Sequence, residues 1–343
     1  MSLHDIACAA GISKTTVSDA LQNRHGVSKA TRERILRIAQ RLGYVPDARI
    51  ASVMASVRDA KSKDLLPIAW VNTTVEMDSW HKYKFMSPYL AGARERATQL
   101  GYYLEELWLQ EPGMNMARMS RIIDQRGIEG VILTPPVRHF RLNWDHLAGV
   151  SFGGDMLVPS LHRVMGDTFY HLLLALKMVK RCGYRRIGVC LSEYMDRSSS
   201  RSIRAAAHYF QTMTPKLDKI PPLFYPGENE MHWPLSKKQI AVWLSRYKPD
   251  VIACHSNRIV ACVEEAGYRV PEDVGVVHLA TDDDVSDWAG IFSNRREIGA
   301  TTVELIVSLM HSRQFGIPKV AKNTAIRGSW HPGRTLLIPK PDH

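Results

Sequence analysis

Lys14, Thr15, Thr16, Ser18 and Asp19 place a cation, three hydroxyls and a carboxylate within six consecutive positions, interrupted only by Val17. These are side chains that hydrogen-bond to phosphate oxygens and to the edges of bases. Such chemistry is recognition, with no covalent bond made or broken. One candidate for covalent chemistry exists, Gly149-Val150-Ser151-Phe152-Gly153, which spells the Gly-x-Ser-x-Gly nucleophile elbow. That motif works only where a strand turns sharply into a helix. Here Gly154-Asp155-Met156-Leu157-Val158-Pro159 follows, a poor helix start, and Ser151 sits inside an apolar run, so it reads as structural. Cys8, Cys182, Cys190, Cys254 and Cys262 are scattered without a Cys-x-x-Cys pair and read as reduced core thiols. With no phosphate-binding glycine loop and no His-Glu-x-x-His, neither a metal nor a cofactor is expected.

The elements that must carry the polar cluster follow from periodicity. Leu3, Ile6, Ala7 and Ala10 recur at helical spacing, Gly11-Ile12-Ser13 breaks the pattern, and Val17, Ala20 and Leu21 resume it. Gly11 suits the turn, Ile12 plugs the corner, and Ser13 caps the second helix. Two short helices joined in this way form a helix-turn-helix, whose second helix presents Lys14, Thr15, Thr16, Ser18 and Asp19 outward. A two-helix corner with a merely solvated face is the competing reading. A third helix begins after Ser28, its cap, and offers Ile35, Ile38, Ala39 and Leu42 as a covering stripe. The formal charge is +11, and residues 1–65 hold eleven Lys and Arg against six Asp and Glu, which favours a polyanionic partner at this end.

Five linked elements, Leu3-x-Asp5-Ile6-Ala7, Gly11-Ile12-Ser13, Thr16-Val17-Ser18, Val27-Ser28-x-x-Thr31-Arg32 and Leu42-Gly43-Tyr44-x-Pro46, closely resemble the headpiece of the lactose-repressor (LacI/GalR) family of transcription regulators. The resemblance implies DNA contacts by Ser13, Lys14, Thr15, Thr16, Ser18, Asp19, Arg24, Ser28, Arg32 and Tyr44. It also implies a hinge helix in which Val53 wedges between base pairs in the minor groove, with Met54 beside it. Asp19 departs from the family, where Arg is usual: it either accepts from a cytosine amino group or orients Lys14 or Arg24.

From Leu66 onward, apolar strands alternate with amphipathic helices. Strands are expected at Ile68–Thr73, Tyr102–Leu109, Val131–Pro135, Ala148–Phe152, Ile187–Ser192, Pro222–Tyr225, Val251–His255 and Val274–Leu279. The fold class is thus an all-α headpiece followed by an α/β core of two Rossmann-like lobes with parallel sheets. The resemblance, extended through Gly101-Tyr102, Lys180-x-x-Gly183-Tyr184, Gly267-Tyr268-Arg269-Val270-Pro271 and Gly316-Ile317-Pro318, implies a core similar to periplasmic sugar-binding proteins. The expected division is 1–46 headpiece, 47–65 hinge, 66–181 plus 290–323 first lobe, and 182–289 plus 324–339 second lobe, with crossings near Cys182, Ala289 and Thr324.

For the cleft, the resemblance points to Asp167, Arg204 and Asn257 as effector contacts. Asp167 and Arg204 have a plain structural ion pair as the alternative. The usual acidic pair after the Val276-Val277-His278-Leu279 strand is displaced by Ala280-Thr281, so the acid has either moved to Asp282 or been lost. Trp80, Tyr83 and Phe85 are aromatic candidates for stacking on a ring. The expected protein is a cytoplasmic, non-enzymatic repressor. Its partners are a near-palindromic double-stranded operator, a small-molecule effector that is a carbohydrate, and a second copy of the chain, with no membrane. The rival classes are a hydrolase or kinase with a DNA-binding appendage and a sugar-binding protein with no DNA role.

Overall fold

The computed structural model describes residues 3–21, 27–43, 65–135, 139–153, 158–226, 236–282 and 285–337. The headpiece holds α1 (Leu3–Ala10), α2 (Lys14–Leu21) and α3 (Lys29–Arg41). Ile6, Ala7, Val17, Ala20, Ile35 and Ala39 form one buried cluster, with Ile12 and Leu42 packed at its margin. Gly11 has φ +66°, a conformation that an L side chain adopts only with strain. Ser13 Oγ accepts from Thr16 N at 3.1 Å and Ser28 Oγ from Thr31 N at 3.2 Å, so both expected caps are in place. The Arg34 guanidinium donates to the Ala10 carbonyl and ties α3 to the end of α1.

The core begins with β1 (Leu66–Asn72), α4 (Ser79–Lys82), α5 (Ser87–Gln99), β2 (Tyr102–Trp108), α6 (Met116–Gln125), β3 (Gly130–Leu133), β4 (Ala148–Phe152) and β5 (His162–Gly166). It continues with α7 (Thr168–Arg181), β6 (Ile187–Ser192), α8 (Glu193–Ser198), α9 (Ser202–Thr212), β7 (Leu223–Tyr225), α10 (Lys237–Tyr247), β8 (Val251–Cys254) and α11 (Ile259–Glu265). The last elements are β9 (Gly275–His278), β10 (Gly290–Phe292), α12 (Arg295–His311), β11 (Asn323–Ile326) and β12 (Ser329–His331). Two six-stranded sheets result, ordered β11-β5-β4-β3-β1-β2 and β12-β10-β9-β8-β6-β7. Every pairing is parallel except β10 with β12. Strands β3, β4, β6, β8 and β9 are buried along their whole length, as sheets covered on both faces require. In each sheet the chain moves outward one way from β1 or β6 and then back the other way. This reversal creates the crevice at the carboxyl ends where doubly wound folds bind ligands.

The lobe boundaries differ from the expected ones. Helix α7 packs with Leu172, Ala175, Leu176 and Val179 into the core of the second lobe, beside Ile187, Val189 and Ile203, so the first crossing falls at Asp167 and not near Cys182. The second follows β10, at Ser293 and Asn294 instead of Ala289, because β10 pairs with β9. The third lies at Arg327 and Gly328, since β11 still pairs with β5 in the first sheet. The cause is four short strands, β5, β10, β11 and β12, which carry too few apolar residues to show a pattern on their own.

Candidate functional site

On α2, Lys14 and Thr15 are exposed, Thr16, Ser18 and Asp19 are half-buried, and Val17 and Ala20 point into the headpiece core. Ser13 is also exposed, and its hydroxyl lies 2.8 Å from that of Thr16, so it serves the helix start. Ser28 caps α3, and Arg32 is half-buried on the first turn of that helix. The geometry is thus a polar helix face held on a three-helix core. Arg24, Tyr44, Val53 and Met54, the other expected DNA contacts, and all of the expected hinge helix except Leu65 lie outside the described residues.

The second site is a cleft with a cavity volume of about 150 Å³ between the lobes. The first lobe contributes Phe85, Tyr89, Gly153 and Met165, and the second contributes Met195, Ser198, Ser199, His255, Asn257, His278 and Ala280. Thr168 and His171 on α7, with Ser293 and Arg295 at the second crossing, line it as well. Its basic side chains are His171, His255, His278 and Arg295, and Tyr89 adds a phenol. Burial pushes the His171 imidazole below its ordinary range, with Asp167 and Asp282 pulling it back. Burial first, then the charge of Arg295, brings His278 down to about 4. His255 is driven well below the usual histidine range by burial and by His278 and Arg295. The rings of His255 and His278 lie 5.4 Å apart, and the edge of Trp288 closes the far side of His278 at 5.9 Å.

The expected effector residues separate into two groups. Asn257 lines the cleft, as does Phe85. Trp80 does not: it is 2% exposed and packs edge-on against Trp70 at 5.3 Å and Phe152 at 5.4 Å, because α4 folds the loop after β1 back onto the sheet. Arg204 points away as well, donating from Nε to Asp196 Oδ2 at 2.7 Å and stacking 3.8 Å over the Phe224 ring. Its partner is therefore Asp196, a residue with no exposed side-chain surface, and not Asp167.

Asp167 and Asp282 brace the crossings. Asp167 Oδ1 accepts from Tyr170 N at 3.0 Å to cap α7, and Oδ2 lies 3.7 Å from Arg327 Nε. Asp282 Oδ1 accepts from the N–H and hydroxyl of Ser293 at 2.6 and 2.7 Å, and Oδ2 from Arg295 N at 3.0 Å. Asn294 Nδ2 donates to Arg327 O at 2.8 Å, and Gly328 N donates to His171 Nε2 at 2.7 Å. All three crossings are thereby tied to one another beside the cleft. The sequence offered no way to find His171, His255, His278 or Arg295, since a single His or Arg in an amphipathic segment has no spacing signature. The carboxyl ends of the strands were the only pointer.

Known proteins carry the same two units. Residues 2–47 match the family described as bacterial regulatory proteins, lacI family, and residues 176–330 match the periplasmic binding protein-like domain, together more than half of the chain. The sucrose operon repressor of Escherichia coli is 24% identical over 305 residues, covering 80% of this chain and 82% of its own. The HTH-type transcriptional repressor PurR of Aliivibrio salmonicida is 20% identical over 328 residues, 89% and 91% of the two chains. Among solved structures, the transcriptional regulator CelR–cellobiose complex superposes with a TM-score of 0.58 at 18% identity, over 98% of this chain and 99% of that one. The lac repressor dimer bound to operator and the anti-inducer ONPF gives 0.57 at 18%, with the same coverage. A helix-turn-helix headpiece with its reading face exposed, joined to a two-lobed core with a cleft between the lobes, is the architecture these proteins share, and the chain belongs to the lacI family of bacterial regulatory proteins.

Proposed function

We propose that the protein is a sequence-specific transcriptional repressor whose operator affinity is set by a small molecule held between its lobes. The observation that carries this reading is the coincidence of the cleft with the tied crossings. A ligand touching Thr168, His171, Ser293 and Arg295 acts on the segments about which the lobes turn. It biases that turn only if its affinity for the two arrangements differs. Two copies of the chain present two headpieces to a near-palindromic operator in the cytoplasm, with Lys14, Thr15, Thr16, Ser18 and Asp19 facing the major groove and Ser13, Ser28 and Arg32 at its margin. The effector is a carbohydrate, in keeping with the cellobiose bound by the transcriptional regulator CelR. In the hinge, Val53 and Met54 are our candidates for the minor-groove wedge, and Arg24 and Tyr44 for backbone contacts.

A catalytic role finds no support at the one elbow motif, because Ser151 is 3% exposed inside β4, where its hydroxyl is not presented to a substrate. Among the described residues, no helix is long and apolar enough to cross a membrane.

The test is selection of fragments of the source genome by the full-length protein, followed by titration of a recovered site against scrambled duplex. Replacing Lys14 and Thr15 together by Ala is expected to weaken the recovered site by about 10-fold to 100-fold, the scale of one lost base contact, while changing scrambled duplex far less. Equal losses on both duplexes would contradict base reading by α2.

A further inference from the structure

We infer that the cleft takes an anionic small molecule, one bearing a carboxylate or a phosphate, with Arg295 as the anchor of the negative group. This rests on the reading of the cleft as the effector site and narrows its chemistry.

Arg295 is 5% exposed and opens α12, a helix of 17 residues. Its guanidinium donates from Nη1 to the Asp282 carbonyl at 3.0 Å. The Asp282 carboxylate, the nearest candidate to neutralise it, is instead occupied by the Ser293 N–H and hydroxyl and by the Arg295 N–H. Among the described residues, no carboxylate stands in ion-pair contact with the Arg295 guanidinium. A buried cation without an ion partner is costly, and a ligand anion supplies that partner. A guanidinium fork also fits a carboxylate or phosphate with two parallel hydrogen bonds.

The second observation lies across the cleft. His278 is 4% exposed, lines the same cavity, and its Nε2 has no hydrogen-bond partner. No Asp or Glu lines the cavity among the described residues; its basic lining is three imidazoles and one guanidinium, with the Tyr89 phenol beside them. A neutral sugar presents a ring of hydroxyls, each of which needs an acceptor for its proton, and a carboxylate is the side chain that only accepts. The lining offers no such carboxylate, and its fixed charge among the described residues is the Arg295 guanidinium.

The imidazoles add a pH signature. His278 is faced by His255 just after β8, by Asp282 after β9 and by Arg295 on α12, while His171 on α7 faces His255 and Asp282. Burial and Arg295 hold it at about 4. An anion in the cleft offsets Arg295 and raises the proton affinity of these rings, so binding takes up protons and tightens as the pH falls.

The experiment titrates the full-length protein with glucuronate, glucose 6-phosphate and glucose at pH 7.5 and pH 6, reading the melting temperature and heat of binding. At least one acidic sugar is expected to stabilise where glucose does not, and to bind more tightly at pH 6; the two acids separate the carboxylate from the phosphate. Arg295→Gln is expected to weaken that binding by about tenfold or more, the scale of one charge-assisted hydrogen bond, whereas Arg295→Lys retains most of it. If the Gln variant does not fold, as its own melting curve shows, the wild-type comparison of acidic with neutral sugar at two pH values still decides. Silence from both acids, glucose binding as well as they do, or a folded Gln variant with wild-type affinity overturns the inference. Glucose binding alone, lost in the cleft-filling Ala280→Trp, overturns the anion assignment and leaves the effector reading standing. An acidic sugar whose binding Ala280→Trp leaves unchanged binds elsewhere, and both readings fail.

Discussion

Arg204 and Asp196 show how a residue that a resemblance points to can serve another purpose. The resemblance marks Arg204 as an effector contact, yet its Nε reaches a fully buried carboxylate at 2.7 Å and its plane lies on Phe224. Removing one partner of a buried pair leaves the other charge uncompensated, although Arg201 Nη1, 3.3 Å from Asp196 Oδ2, covers part of the loss. Arg204→Ala is therefore expected to cost about 2 kcal/mol in chemical denaturation while leaving the midpoint of an effector titration within a few-fold of wild type. Loss of the effector response in a variant of wild-type stability would return Arg204 to the site. Trp80 makes the same point with apolar surface. A loop aromatic suits a sugar ring or a core equally well, and only the fold of α4 onto Trp70 and Phe152 decides between them.

At the scale of elements, the headpiece was readable because its signals are local. Caps, turn glycine and apolar spacing all act within a few residues, and Ser13 and Ser28 bond where their positions predict. The crossings were not readable, because what defines them is long-range. Gly328 is the clearest instance. A Cβ there would stand 2.5 Å from Ile291 Cγ2, 2.6 Å from the Phe292 carbonyl oxygen and 3.0 Å from His171 Nε2, contacts spread over more than 150 positions of sequence. Gly328→Ala is expected to destabilise the protein by about 1–3 kcal/mol through overpacking and to loosen the His171 hydrogen bond. Its denaturation midpoint checks the first effect and the amide exchange rate at residue 328 the second. A variant of wild-type stability and exchange would show that the third crossing is not packed in this way.

For the whole molecule, the buried imidazoles predict an acid-sensitive core. His171, His255 and His278 are all held below the ordinary value of 6.5, so the unfolded chain binds protons that the folded chain refuses. Stability is then full above about pH 6.5 and is lost as the pH falls from there toward the folded values. His278, at about 4, accounts for roughly 2 kcal/mol of that loss by pH 5. Denaturant melts at pH 7.5 and pH 5 are expected to differ by at least this amount, with a smaller difference in His278→Asn, and a flat profile would contradict the burial of neutral imidazoles. By themselves, the residues in order determined the family, the three headpiece helices with their outward polar face, and the alternation that builds two parallel sheets. Each of these follows from spacing within one element. Tertiary structure alone decided where the chain crosses between lobes, that Asp167 and Asp282 brace those crossings, and that three histidines and Arg295 meet in the cleft. Those side chains come from separate elements between residues 171 and 295, and their proximity depends on sheet order, which no local pattern encodes.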